Sequence, residues 1–200
     1  MKKMFKGLVL LSMLLALSAC QKESSSAPKE SEAATSLRET KNLDFRLAFN
    51  KIKITQNQTD FSGGSSLAEL KSLFGEPQKT EQKPAGDVTL DVYTWTKDDS
   101  TVVVQLFKDS AIARSISQFS FNREAKIGLK DFNQLKEGIS YTKAKELLGE
   151  PDLLSQAISS DRYDTQAVWT SGLKSQTTSP TIELKFENDK LTSKQQKGLS

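Results

Sequence analysis

Few groups in this chain could do chemistry, and the missing ones narrow its role. None of its 200 residues is His, and one, Cys20, is Cys. Without imidazole there is no ordinary general base, no Ser–His nucleophile pair and no usual zinc site. Carboxylates stand close together as Asp98–Asp99 and as Asp161 with Asp164. On a neutral, Lys-rich surface such pairs read as solvated. Asp161, Asp164 and Thr165 are spaced too loosely for a calcium loop. Gly63–Gly64 precedes a helix but lacks the Lys and the following pattern of a phosphate cradle, so it reads as a turn. The expectation is a protein that is not an enzyme, with no catalytic residue, no metal and no cofactor.

Cys20 has a setting of its own. Lys2, Lys3 and Lys6 precede an apolar run, Gly7 to Leu17, of about eleven residues, too short to span a bilayer. Leu17-Ser18-Ala19-Cys20 follows and resembles the lipobox of bacterial lipoproteins. The resemblance implies a signal peptide over residues 1–19, cleavage before Cys20 and a diacylglyceryl thioether on its sulfur. An ordinary secretory signal with a chance Cys is the alternative. Residues 20–43 then form the lipidated Cys and a disordered tether, rich in Ser, Ala, Glu and Lys. A short helix over Ala33 to Leu37 is the other reading of that stretch. The location implied is extracytoplasmic, on the outer face of the bacterial cytoplasmic membrane, with the lipid on Cys20 as the membrane contact. One thiol allows no intramolecular disulfide. The chain has 28 Lys+Arg against 25 Asp+Glu, and removing Lys2, Lys3 and Lys6 leaves 25 of each. A neutral mature protein lacks the clustered positive footprint that nucleic acid demands.

The elements that must position any binding groups show a doubling. Gly75-Glu76-Pro77 returns as Gly149-Glu150-Pro151 and Trp95 returns as Trp169, both at an offset of 74. Ser66 maps onto Ser140 and Leu73 onto Leu147 at the same offset. Ser66-Leu67-Ala68-Glu69 reads as a capping box, and Leu67, Leu70, Leu73 and Phe74 form one helical face ended by Gly75 and Pro77. Tyr141, Ala144, Leu147 and Leu148 do the same before Gly149 and Pro151. Each copy opens on a short helical turn, Phe49 to Ile52 or Phe132 to Leu135. Four β-like runs follow each second helix: about 78–82, 88–96, 101–107 and 112–121, then 153–158, 164–170, 181–186 and 190–197. Residues 55–63, polar and Gly-rich, read as a surface-loop insertion of about nine residues. The fold class expected is α+β: two tandem repeats, 44–126 and 127–200. Each is a helix pair plus a four-stranded antiparallel meander, and together they form a curved sheet with helices on one face.

Phe132-Asn133-Gln134-Leu135-Lys136-Glu137-Gly138-Ile139-Ser140, the helix ending at Gly149 and the strands over 182–194 together resemble the repeat of the β-lactamase inhibitory protein family. In looser form the likeness extends to small outer-membrane assembly lipoproteins. Uncharacterised Gram-positive lipoproteins with two such units look most similar. The resemblance implies a protein or peptide partner on the open sheet face. It also implies an acidic hairpin that plugs an enzyme's active site, here carrying Asp98 and Asp99, and aromatic contact residues, here Tyr93, Trp95, Tyr163 and Trp169. An Asp at a hairpin tip is also a turn former, and a Trp at a repeated position also fits a core. The chain departs from that family in having neither the Cys for its disulfides nor the His of its contact surface, so β-lactamase inhibition does not follow. Two further roles stay open: an envelope-assembly scaffold lipoprotein, and a solute-binding lipoprotein of a transporter. Val102-Val103-Val104 is apolar on both strand faces, so Val102, Val104 and Leu106 either face solvent as a contact patch or are covered.

Overall fold

The computed structural model describes residues 40–200. Four short helices, α1 (Leu43–Asn50), α2 (Leu67–Phe74), α3 (Leu129–Gln134) and α4 (Tyr141–Leu148), accompany eight strands. These are β1 (Lys79–Ala85), β2 (Val88–Lys97), β3 (Ser100–Phe107), β4 (Ser110–Ser117), β5 (Leu153–Ile158), β6 (Tyr163–Trp169), β7 (Thr181–Glu187) and β8 (Lys190–Lys197). The strands form one antiparallel sheet in the order β1 to β8.

Local sequence sets the helix limits. Ser66 caps α2 by accepting from Glu69 N at 3.2 Å, and Glu69 accepts from Ser66 N at 2.9 Å. Ser140 caps α4 by accepting from Lys143 N at 3.1 Å. Gly75 and Gly149 end the two helices at φ 79° and 73°, values a side chain resists.

The expected pair of tandem units, each a helix pair with its own four-stranded meander, is corrected here. The strands form a single eight-stranded sheet, because β4 pairs with β5 from Ala113↔Ala157 to Ile116↔Leu154. No described helix exceeds eight residues, so the described part of the chain is mostly sheet. The physical reason lies in the strand edges. A four-stranded meander ending at β4 would leave a row of unpaired backbone groups, and pairing with β5 satisfies them. Buried side chains run through both halves as one core, from Phe45 and Trp95 to Trp169 and Phe186.

Polar links fasten the middle of this layer. Arg46 of α1, fully buried, donates to Pro151 O at 3.1 Å and meets Glu150 at 3.4 Å. Asp152, also fully buried, accepts from Phe121 N (2.8 Å), Thr170 N (2.6 Å), Ser171 N (2.9 Å), Ser171 Oγ (2.6 Å) and Arg123 Nη2 (3.2 Å). Arg123 also donates to Glu150 O at 2.9 Å. The segment after β4 is thereby tied to the starts of β5 and of the β6–β7 connection.

All four helices lie on one side of the sheet. Phe74 of α2 stacks on Trp95 at 5.4 Å, and Tyr141 of α4 meets Phe186 at 5.5 Å. Arg114 reaches the Phe49 carbonyl at 3.0 Å, and Lys194 reaches the Leu135 carbonyl at 2.8 Å. Val102, Val104 and Leu106 point to this side and are buried, so they are covered by the helices rather than presented to solvent. Alternation sends Val103, Gln105 and Phe107 to the other side, where none of the described helices packs.

Candidate functional site

The aromatic residues expected at a contact surface sit on the helix-covered side. Trp95 and Trp169 are 0 % exposed. Each indole donates to a helix-ending carbonyl, Trp95 to Gly75 O at 2.9 Å and Trp169 to Gly149 O at 3.1 Å. Both are core residues that clamp a helix end to the sheet, so as placed they offer no surface to a partner. Tyr93 is half-buried, 6.1 Å from Trp95, and burial pushes its hydroxyl up. Tyr163 shares the side of Ala167 and Trp169 in β6, and burial raises its hydroxyl against the pull of Arg114. The four rings therefore make no common outward patch. Asp98 and Asp99 are exposed at the β2–β3 tip, with Lys41 at 3.7 and 3.8 Å. Asp98 has φ 50°, a left-handed turn position that Asp tolerates. Cys20 lies outside the described residues.

The open side of the sheet holds a groove of about 460 Å³. Its floor is Ala113 and Ser115 on β4 with Ser155 and Ala157 on β5, in register across the strand pair. These are the small side chains of the row, so the sheet is hollow along this seam. One wall is apolar: Val88 and Leu90 of β2 with Val103 and Phe107 of β3. Leu90 is only 5 % exposed although it faces away from the helices. β3 and β4 slip register at Gln105/Leu106, which leaves Ile112 as an extra residue, and it too lines the groove.

The loop over 55–63 completes the wall instead of standing free. Thr55 N donates to Ala111 O at 3.0 Å, and Ala111 N donates to Ser65 O at 3.0 Å, so both ends of the loop are stitched to β4. Gly64 lies against this strand: a Cβ there would come within 2.3 Å of Ala111 O. Inside the loop, Asn57 Oδ1 accepts from Thr59 N (2.9 Å) and Asp60 Oδ1 accepts from Ser62 N (2.9 Å). Phe61 reaches an edge-to-face contact with Phe107 at 5.9 Å. Opposite, the groove ends at Asp164 of β6, whose carboxylate meets Arg162 Nε at 2.9 Å.

The sequence drew notice to Asp164, to the doubly apolar Val102–Val104 run and to the 55–63 loop, but did not join them into one site. Three signals pointed to the groove residues: Phe61 as a lone aromatic in a polar loop, Val103 and Phe107 as the second apolar face of β3, and the Ala/Ser alternation of β4 and β5. Among the described residues, no group of three or more His, Cys, Asp or Glu side chains could hold a metal. None of the described helices is long and apolar enough to cross a membrane.

No curated protein matches this chain. Among solved structures, a DUF4309 family protein (YjgB) from Bacillus subtilis is 17% identical over 80% of this chain and 95% of its own. Its TM-score of 0.23 carries no structural argument. The crystal structure of a "putative beta-lactamase inhibitor protein" from Streptococcus mutans is 57% identical, with a TM-score of 0.79. That likeness covers 81% of this chain and 100% of the other. The family model described as "Domain of Unknown Function with solved-structure structure (DUF3862)" matches residues 41–199, and the chain belongs to that family.

Proposed function

We propose that the protein is a lipid-anchored, extracytoplasmic binding module that docks a protein partner on the open face of its sheet. The observation that carries this reading is the asymmetry of the sheet. One side is covered by four helices, while the other presents strand residues and a groove. The similarity to a Streptococcus mutans protein named as an inhibitor of an enzyme supports a protein partner, and offers a class A β-lactamase as the first one to try. The Asp98 and Asp99 carboxylates make exposed contacts to Lys41 and can take part. The lipobox-like Leu17-Ser18-Ala19-Cys20 supports the anchor and the location.

The test uses the full chain and three variants. Thr94→Arg and Gln166→Arg place a long cation on the open face outside the groove, and Leu47→Arg places one on exposed α1. A β-lactamase titration follows hydrolysis of a chromogenic cephalosporin. In parallel, envelope extracts are captured on each variant. A partner held by wild type and Leu47→Arg but lost by both open-face variants supports the reading. Equal capture by all four, with folding intact, overturns it. For the anchor, palmitate labelling and membrane retention should both disappear in Cys20→Ser.

A further inference from the structure

The two ends of the groove differ in character. One end is hydrocarbon and aromatic: Phe61, Leu90 and Phe107. The other end is acidic. Asp164 lies directly across from Glu187 in the β6–β7 register. Burial raises the Asp164 carboxyl, Glu187 and Asp161 raise it further, and Arg162 alone opposes them. Asp161, Asp164 and Glu187 stand there against Arg162 and against Lys190, which lies across from Glu187 in the β7–β8 register, so that end keeps a net negative charge. At the apolar rim the Lys108 ammonium lies 5.1 Å from the Phe107 ring centroid, and its charge is opposed by Asp60. That rim therefore holds no excess positive charge to attract an anion.

We propose that the groove is a binding site for a small organic cation, its apolar body seated against Phe107 and Leu90 and its ammonium group beside Asp164. The volume of 460 Å³ falls within the range of roughly 300–1,000 Å³ typical of small-molecule sites. The floor of Ala113, Ser115, Ser155 and Ala157 leaves room that no described side chain fills. An apolar body gains by leaving water against the wall. A cation at Asp164 relieves repulsion between that carboxylate and Glu187, in a partly enclosed place where screening is weaker than in bulk water. This inference stands on the groove and is independent of protein docking.

Two probes with the same ring and opposite heads decide it: phenethylammonium and 3-phenylpropionate, titrated calorimetrically into the full chain, with amide chemical shifts locating the site. The ammonium probe should bind at least about tenfold more tightly than the carboxylate, the effect of one effective charge contact. Asp164→Asn should bring the two affinities within about twofold of each other. Ala157→Phe, which fills the floor, should abolish binding of both probes while circular dichroism stays native. Ser155→Leu serves the same purpose if the larger ring disturbs folding. The proposal is overturned if wild type binds neither probe or binds the carboxylate as well. It is also overturned if Asp164→Asn keeps the preference, if the floor variants still bind, or if the shifted amides lie away from β4 and β5.

Discussion

Asp152→Ala should cost the protein much of its stability. The carboxylate is fully buried and accepts from three backbone amides, the Ser171 hydroxyl and the Arg123 guanidinium. Alanine would leave the amides of Phe121, Thr170 and Ser171 facing a small void. A stranded buried donor costs about 1–3 kcal/mol, and breaking a buried ion pair costs about 3–5 kcal/mol. These terms overlap, and two circumstances soften them. Arg123 keeps Ser171 Oγ at 2.8 Å and Glu150 O at 2.9 Å, and it is partly exposed, so its charge is not abandoned. The void also has enough donors to hold a water. The expected loss is about 4 kcal/mol, against a total stability of about 5–15 kcal/mol for a typical domain. Asp152→Asn keeps one carbonyl acceptor but turns an NH₂ toward a donor, so about half that loss is expected. Urea unfolding, followed by the fluorescence of the two buried Trp residues, reads both variants. The slope with denaturant should stay unchanged, because the exposed surface does not change. A loss below about 1 kcal/mol for Asp152→Ala would refute the reasoning, since the donors would then have found equivalent partners.

Three further outcomes are expected. Tyr141→Phe should be neutral or stabilising by up to about 1 kcal/mol in the same urea assay, because the Tyr141 hydroxyl is buried without a hydrogen-bond partner. A clear destabilisation would show that the hydroxyl is satisfied after all. Trp95→Phe and Trp169→Phe each remove an indole bond to a helix-ending carbonyl and leave a gap. Each should cost about 2 kcal/mol and should report as loss of native fluorescence intensity, with no solvent-exposed emission from the remaining Trp. Asp164→Asn should change the pH profile of stability. The folded-state carboxyl is raised, by burial first, so the stability it lends is complete below the ordinary carboxylate range and is lost as pH rises through the raised value. The variant should therefore exceed wild type in unfolding midpoint at pH 7, and the gap should close toward pH 3. A gap that widens on acidification would contradict the sign.

Much of the fold was legible at the level of elements. Ser66 and Glu69 announced the start of α2, and Gly75 and Gly149 announced two helix ends, because capping is a local matter decided within four or five residues. Strand alternation in β7 was equally plain. A shared curved sheet was expected, but neither the register at which β4 meets β5 nor the single core beneath both halves was, because these depend on contacts spread over the whole chain. α1 also extends from Leu43 to Asn50, well before the Phe49–Ile52 turn read from sequence. Arg46 in its middle masks the apolar face, because its guanidinium is buried over the Phe49 and Phe121 rings.

The site was less legible, and the reason is parity. Alternation says that Tyr93 and Trp95 share a side of β2, but not which side the helices take. Large aromatics suggest an interface only when nothing else claims them. Here short helices claim them: eight residues give two turns, too little surface to hold an element against a sheet by its own contacts. Trp95 and Trp169 supply the missing area, and each indole ties a helix-ending Gly carbonyl down to the layer. The aromatics being committed to positioning, the proposed recognition falls to the opposite side, where the notable feature is smallness. Ala113, Ser115, Ser155 and Ala157 leave a hollow because they do not fill it, and the 55–63 loop gives the hollow a wall. A site made by what side chains omit carries almost no motif, which is why it became visible only when β4 and β5 were seen side by side.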